Sequence, residues 1–521
     1  MPSGRISMES DDSLRALETS EGPSTLRVVG GTRGRSGTVS SFGGFEFRPD
    51  LLPLAYSEVE TDGEVVMQKT VGLINGIALV VGSQVGSGIF SSPGVVLAET
   101  RSVGASLLVW VVSGVLAWTG ASSFAELGSM IPLSGGPQAY LAYAYNPLVS
   151  FLYSWTAISA LKPGSGAIIA LIFGEYVMRL FYPHDFNPQD IPHWQTQIAA
   201  SLCVMVAFML CVGSPKLGTH TAVILTVIKI SVSVLGLIQL IRGKEASTLR
   251  SPWFSGTSPN PSSFALALYS GLWAFDGWDA TNFVTGEMKN VERNLPRVIH
   301  SSMSIVLTAF LFANVSYFTV LEKDIVARSN TVALDFGRAV LGSFGGVLFS
   351  VMVAISCLGA LQGGLYTSSR LVYASGQEGF LPSFFGRLNQ RLKTPLNATA
   401  LHATLTIVFI IFGGGFRSLV NFYSVAGWGF YFLTVVGLLV LRIKEPNLDR
   451  PYKTWIITPV TFSAVALFLL FMPIAAAPLE AMAALGFILV GIPIFYVTRE
   501  RPRDISGERR TSLLGKQLKH K

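Results

Sequence analysis

The sequence predicts an all-α polytopic membrane protein of twelve transmembrane helices, and three observations predict it. Half of the 521 residues are apolar, only 13% are charged and the mean hydropathy is +0.50, a balance that belongs in a bilayer. The apolar residues gather into twelve stretches long enough to span. The first and the sixth of these are interrupted by glycine where a membrane helix should run straight. A break inside hydrocarbon frees backbone N–H and C=O groups, which are tolerable only where they line a cavity or bind something. Paired breaks therefore point to a transporter with a polar site between them.

Residues 1–66 are rich in Ser, Gly, Asp, Glu and Arg with little periodic apolarity, and read as a disordered cytosolic tail. Met1 to Phe47 has no short apolar core of a signal peptide, so the first apolar segment is expected to be retained as a span. The spans fall at 71–97, 104–131, 150–180, 196–213, 219–241, 263–286, 299–321, 339–366, 398–414, 418–441, 455–473 and 480–498. The transporter domain thus occupies 67–498, followed by a basic cytosolic tail at 499–521. An even number of spans puts both ends on one side. Most lysines and arginines lie in the tails and in loops on that side, which makes it cytosolic. The loop after the fifth span, with Arg242, Lys244 and Arg250, runs against this trend. The hydropathy spacing permits two five-helix repeats of opposite topology, spans one to five and six to ten, with a site at their mid-membrane interface.

Composition also excludes functions. The net charge of +7 resides in tails and alternate loops, where membrane orientation accounts for it better than nucleic acid does. Cys203, Cys211 and Cys357 all lie inside apolar runs, so no disulfide framework or metal-spaced set is expected, and no cofactor is implied. The sequence has no phosphate-binding glycine loop or nucleophile elbow, so enzyme activity has no support. A channel would need a continuous polar pore or filter, and neither is evident.

The first break lies in Val81-Gly82-Ser83-Gln84-Val85-Gly86-Ser87-Gly88-Ile89-Phe90. Unwinding at Gly86 to Gly88 leaves free N–H groups near Ser87, Gly88 and Ile89, and a helix N-terminus suits a carboxylate. Free carbonyls at the end of the first half-helix would hold an ammonium group, so the pair of ends fits an α-amino acid zwitterion. Alternatively, Gly82-x-x-x-Gly86 is a small-residue packing face. The second break, Tyr269-Ser270-Gly271-Leu272-Trp273-Ala274-Phe275-Asp276-Gly277-Trp278-Asp279, carries two acids. Each charge at mid-membrane costs about 2.5–3.5 kcal/mol, so both acids should have a role.

Gly86-Ser87-Gly88-Ile89-Phe90, Ala267-Leu268-Tyr269-Ser270-Gly271-Leu272-Trp273-Ala274-Phe275, and Asn282-Phe283-Val284-Thr285-Gly286-Glu287 with Arg293-Asn294-Leu295-Pro296 together carry a resemblance. So does Ala125-Glu126-Leu127-Gly128 with Ile131-Pro132-Leu133-Ser134-Gly135-Gly136. Over most of residues 70–445 the chain resembles the L-type amino acid transporter branch of the APC superfamily. The resemblance implies a LeuT-like five-plus-five inverted-repeat fold with an L-amino acid held between unwound helices one and six. By position, Ser83, Gln84, Val85, Gly86, Ser87, Gly88 and Ile89 line the substrate's backbone groups, and carbonyls of Trp273, Ala274 and Phe275 face its ammonium. Trp273 stands at the family's aromatic gate. Lys229, in Thr226-Val227-Ile228-Lys229-Ile230, matches a family lysine that replaces a sodium ion, which implies sodium independence. Lys162 with Pro163 matches a basic-Pro pair to which no role is given, and Glu287 is expected to pair with Lys289 or Arg293.

Selectivity is equivocal at this level. Relatives that accept cationic amino acids resemble this chain in having aspartate at the position of Asp276 or Asp279, which implies neutral and cationic substrates. One aspartate could instead be protonated and couple uptake to a proton. Animal members bind a single-span glycoprotein through a cysteine between spans three and four. Residues 181–195 contain none, so a disulfide-linked heavy chain is not expected. The long polar tail resembles that of stand-alone fungal permeases, which implies plasma-membrane uptake. A methionine-selective permease and a non-transporting amino acid sensor on the same fold are the alternatives.

Overall fold

The computed structural model describes residues 69–182, 191–213, 252–329, 331–389, 394–413, 416–476 and 478–498. The two predicted tails and the fifth predicted span, with Lys229, lie outside these residues.

In an apolar solvent the backbone must satisfy itself, and an uninterrupted helix is the local way to do so. The chain accordingly folds as helices: α1 Leu73–Gln84, α2 Gly88–Thr100, α3 Val103–Met130, α4 Pro137–Ala144 and α5 Pro147–Thr156. A π turn, Ala157–Leu161, leads from α5 into α6 Lys162–Met178, followed by α7 His193–Gly213 and α8 Pro261–Ala274. A 3-10 segment, Ala280–Glu287, precedes α9 Val291–Val320, α10 Lys323–Arg328, α11 Val332–Gln377, α12 Leu396–Phe412, α13 Phe416–Lys444, α14 Ile457–Ala476 and α15 Pro478–Thr498. Ser102 caps α3 by accepting from the Ala105 N–H, and Asn146 caps α5 by accepting from the Val149 N–H at 2.9 Å, with Pro147 at the first helical position.

Among the described residues, seven helices are long and apolar enough to cross a membrane, and α1 with α2, bent by 42° at their break, makes an eighth. α12 and α14 are shorter apolar helices. The protein is an all-helical, multi-pass membrane protein. No strand forms among the described residues, although Val71 and Met288 make one parallel bridge.

The sixth span departs from two matched half-helices. After α8 and a turn at 275–279 the chain continues as a 3-10 helix, because Thr281, Asn282, Val284 and Thr285 are poor helix formers. The Leu133–Gly136 loop holds this segment: Thr285 Oγ1 donates to Leu133 O, and Ser134 Oγ accepts from Gly286 N at 3.2 Å. The break itself is wedged by aromatic rings. Phe275 lies 4.8 Å from Phe310 and 6.1 Å from Trp110, and Trp278 lies 4.8 Å from Phe124.

Two buried ion clusters tie distant helices. Glu287 pairs with neither Lys289 nor Arg293. Arg370 of α11 donates from Nε to its Oε1 at 2.7 Å and from Nη2 to its Oε2 at 3.3 Å, and Tyr366 Oη donates to the same Oε2 at 2.8 Å. The reason is burial: Glu287 is 4% exposed while Lys289 faces solvent, so only a partner already inside the bundle meets the carboxylate. The second cluster centres on Glu126 of α3, fully buried. Arg442 donates to both its oxygens, Thr454 N donates to Oε2 at 2.9 Å, and Arg450 Nε lies 3.8 Å from Oε1. This staples the segment between α13 and α14 onto α3.

Removing one member of a buried ion cluster strands the others without compensation. Glu126→Ala should therefore cost about 3–5 kcal/mol, read as a lowered unfolding temperature of the purified protein in detergent.

Candidate functional site

The two breaks face each other. α1 ends at Gln84, and residues 85–87 leave the helix before α2 restarts at Gly88, one residue earlier than a break over Gly86 to Gly88 would place it. Ser87 is the N-cap of α2 and makes no side-chain cap bond, so the first N–H groups of α2 have no side-chain acceptor at the cap. Glycine is required twice here. A Cβ at Gly88 would strike the Cα and Cβ of Ala274. Gly277 adopts φ +98°, and a Cβ there would come within 2.9 Å of Ser83 Cβ.

Several freed backbone groups already have partners. Gln84 Nε2 donates to Phe275 O at 2.8 Å and so bridges the two breaks. Ser356 of α11 lies with Oγ at 2.9 Å from both Val85 O and Gly86 O. These carbonyls, expected to meet an ammonium, are thus engaged by side chains of the protein. Each carbonyl oxygen nevertheless has two lone pairs.

One cavity opens between the breaks. Ser83, Gln84, Ser87 and Gly88 line it from the first, and Trp273, Ala274, Asp276 and Asp279 from the second. Four expected residues do not line it. Val85, Ile89 and Phe275 are buried in the apolar core, and Gly86 packs against α11, where an added Cβ would approach Ala360 Cβ to 2.8 Å. Gly86 thus lies in the unwound stretch and also packs closely against α11. Lys229 lies outside the described residues.

The two acids are not equivalent. Asp279 is 2% exposed; Tyr431 Oη donates to its Oδ2 at 3.0 Å, and Lys162 Nζ stands 4.0 Å from the same oxygen. Asp276 is half-buried and lines the cavity. Lys162 also sits 4.5 Å above the ring of Phe283, a favourable cation–π position. Its placement follows from the π turn Ala157–Leu161, where the Lys162 N–H returns to Ala157 O. Pro163 offers no N–H to continue the α-helical ladder across this point, and the wider turn swings Lys162 to the cavity wall.

Apart from Lys162, the wall opposite the breaks was not singled out by motif. It comprises Lys162 and Ser165 of α6, Gly364, Thr367 and Ser368 of α11, and His402 of α12. A signal for part of it exists in Ser356, Ala360, Gly364 and Ser368, which recur every four residues and so share one helix face. His402 carries no such signal. Among the described residues, no group of three or more His, Cys, Asp or Glu could hold a metal ion.

Comparison with known proteins fits this arrangement. The family model described as "Amino acid permease" matches residues 71–493. The chain is 38% identical over 435 residues to the b(0,+)-type amino acid transporter 1 of Mus musculus, covering 82% of this chain and 88% of that protein. It is 35% identical over 451 residues to the cystine/glutamate transporter of Homo sapiens, covering 86% and 88%. It is 34% identical over 449 residues to the Asc-type amino acid transporter 1 of Mus musculus, covering 85% and 84%. These relatives are transporters and not enzymes. A family match that runs through both breaks and the whole cavity wall, with L-type relatives aligned over most of their length, makes this chain a member of the amino acid permease family, in the L-type branch of the APC superfamily.

Proposed function

We propose that the protein carries neutral and cationic L-amino acids across a membrane by alternating access, without sodium, by exchange or proton-linked uptake. The observation that carries this reading is the meeting of two helix breaks at one cavity, where the uncapped start of α2 and the acid Asp276 share a wall. The N–H groups of Ser87, Gly88 and Ile89 receive the substrate carboxylate. Carbonyls around Trp273 to Phe275 take its ammonium beside the bond from Gln84. Asp279 is buried against Lys162 and Tyr431, while Asp276, half-buried on the cavity wall, is the acid that meets a cationic side chain, and Trp273 closes over the substrate.

The same reading extends to architecture. Twelve spans form two inverted five-helix repeats plus two further helices, and both tails lie in the cytosol at the plasma membrane. One bundle rocks against the other around the fixed site. Substrate favours closure to the extent that it binds the closed state more tightly than the open ones. Lys229 in the fifth span supports sodium independence. The absence of cysteine from residues 181–195 supports a permease of the fungal type that works without a disulfide-linked heavy chain.

Uptake of radiolabelled methionine, leucine, arginine and lysine into proteoliposomes, with and without internal amino acid, tests this function. Asp276→Asn should lower arginine and lysine uptake by about tenfold or more, the scale of one lost charge-assisted contact, and leave leucine uptake within about twofold. Ser87→Trp should abolish uptake of all four while the protein elutes as the parent does in size-exclusion chromatography. Methionine transport alone would favour a methionine-selective permease, and no uptake of any substrate would favour a sensor.

A further inference from the structure

The cavity wall opposite the helix breaks holds an imidazole that makes no ring hydrogen bond among the described residues. His402 is 2% exposed, lines the cavity, and has a buried Nδ1 with no hydrogen-bond partner. A buried polar atom left unpaired costs about 1–3 kcal/mol, so a ligand that pairs with it recovers that cost. His402 and Lys162 line the same cavity. The Lys162 ammonium carries three donors, and its contact with Asp279 Oδ2, at 4.0 Å, is longer than a hydrogen bond.

Packing brings the pair to the cavity and leaves room beside it. Gly166 of α6 lets α12 approach closely, since a Cβ there would sit 3.2 Å from Thr406 Cγ2, and Thr406 lies one turn beyond His402. At Gly364 of α11 a Cβ would meet nothing within 4 Å, so this part of the wall is open. A neutral imidazole offers one nitrogen as an acceptor.

We propose that Lys162 and His402 form a subsite for the uncharged carboxamide head of a substrate side chain. Lys162 donates to the amide carbonyl and His402 Nδ1 accepts from the amide NH2, so each protein group meets its complement. Charge selects the neutral head. Among the described lining residues Asp276 and Asp279 outnumber Lys162, and a carboxylate would meet both acids. A cationic side chain uses Asp276 and does not need this subsite. The proposal rests on the transport reading above and names one substrate within it, glutamine.

The test uses the full-length protein in proteoliposomes loaded with leucine, with uptake of radiolabelled leucine as tracer. Glutamine, glutamate and homoleucine, which has the branched shape of glutamine without its polar atoms, compete for uptake. Glutamine should inhibit at about tenfold lower concentration than homoleucine, since a site built to hydrogen-bond rejects an analogue that cannot, and glutamate should inhibit weakly. His402→Leu should erase the advantage of glutamine over homoleucine. Equal inhibition by glutamine and homoleucine in the parent protein would overturn the proposal even if the variant fails to fold. So would an equal shift of both in the variant, or glutamate matching glutamine. Absence of leucine uptake by the parent would instead overturn the transport reading itself.

Discussion

Backbone groups freed inside a bundle must find partners, and that requirement organises this protein. The two helix breaks lie where water cannot supply the missing hydrogen bonds, so the bundle supplies them. Gln84 reaches from the end of α1 to Phe275 O in the second break, and Ser356 engages the carbonyls of Val85 and Gly86. The breaks must then be close. Glycine at 88 and 277 makes that possible, because each faces backbone or a short side chain of the other break where no Cβ would fit. The cavity is what remains between two unwound segments pressed together and satisfied from behind.

The charges follow the same logic of compensation. Glu126, Glu287 and Asp279 are buried, and each meets cationic or hydroxyl groups from helices far away in sequence. Two of the three lie outside the cavity and hold structure: Glu126 fastens the α13–α14 connection to α3, and Glu287 fastens the end of the 3-10 segment to α11. Val71 N donates to Glu287 O and Val71 O accepts from Lys289 N, each at 2.9 Å, so the start of α1 is tied to that same end. Asp276 differs from these acids in being only half-buried.

Much of this was legible in the sequence, because the features that matter were local. Glycines inside long apolar runs located both breaks, and acids in an apolar span flagged Asp276 and Asp279. What escaped was set by pairing across long sequence distances. Arg370 lies 83 residues from Glu287, so proximity along the chain pointed instead to Lys289 and Arg293, which burial excludes. Lys162 was visible as a basic-Pro pair, but its partner Asp279 is fixed only by helix packing. His402 looks like any polar residue in an apolar helix until α6 and α12 are placed side by side. The 3-10 form of the second half of span six was written in its β-branched and polar residues, although hydropathy alone reads the segment as one helix.

The π turn between α5 and α6 has a consequence for how this helix can change over evolution. A π turn absorbs one extra residue locally within an α-helix, and one residue is worth about 100° of helix face when positions are counted along the sequence. The stretch up to Thr156 and the stretch from Lys162 therefore count their faces from different origins. Trp155, in the first, stacks on Phe487 of α15 at 5.4 Å, while Lys162, in the second, faces the cavity. The packing surface and the cavity surface are decoupled in phase. Substitutions that repack the helix against α15 leave the register of the cavity wall unchanged, and deletion of one residue from the turn would be taken up there as plain α-helix, with both flanking stretches left in place.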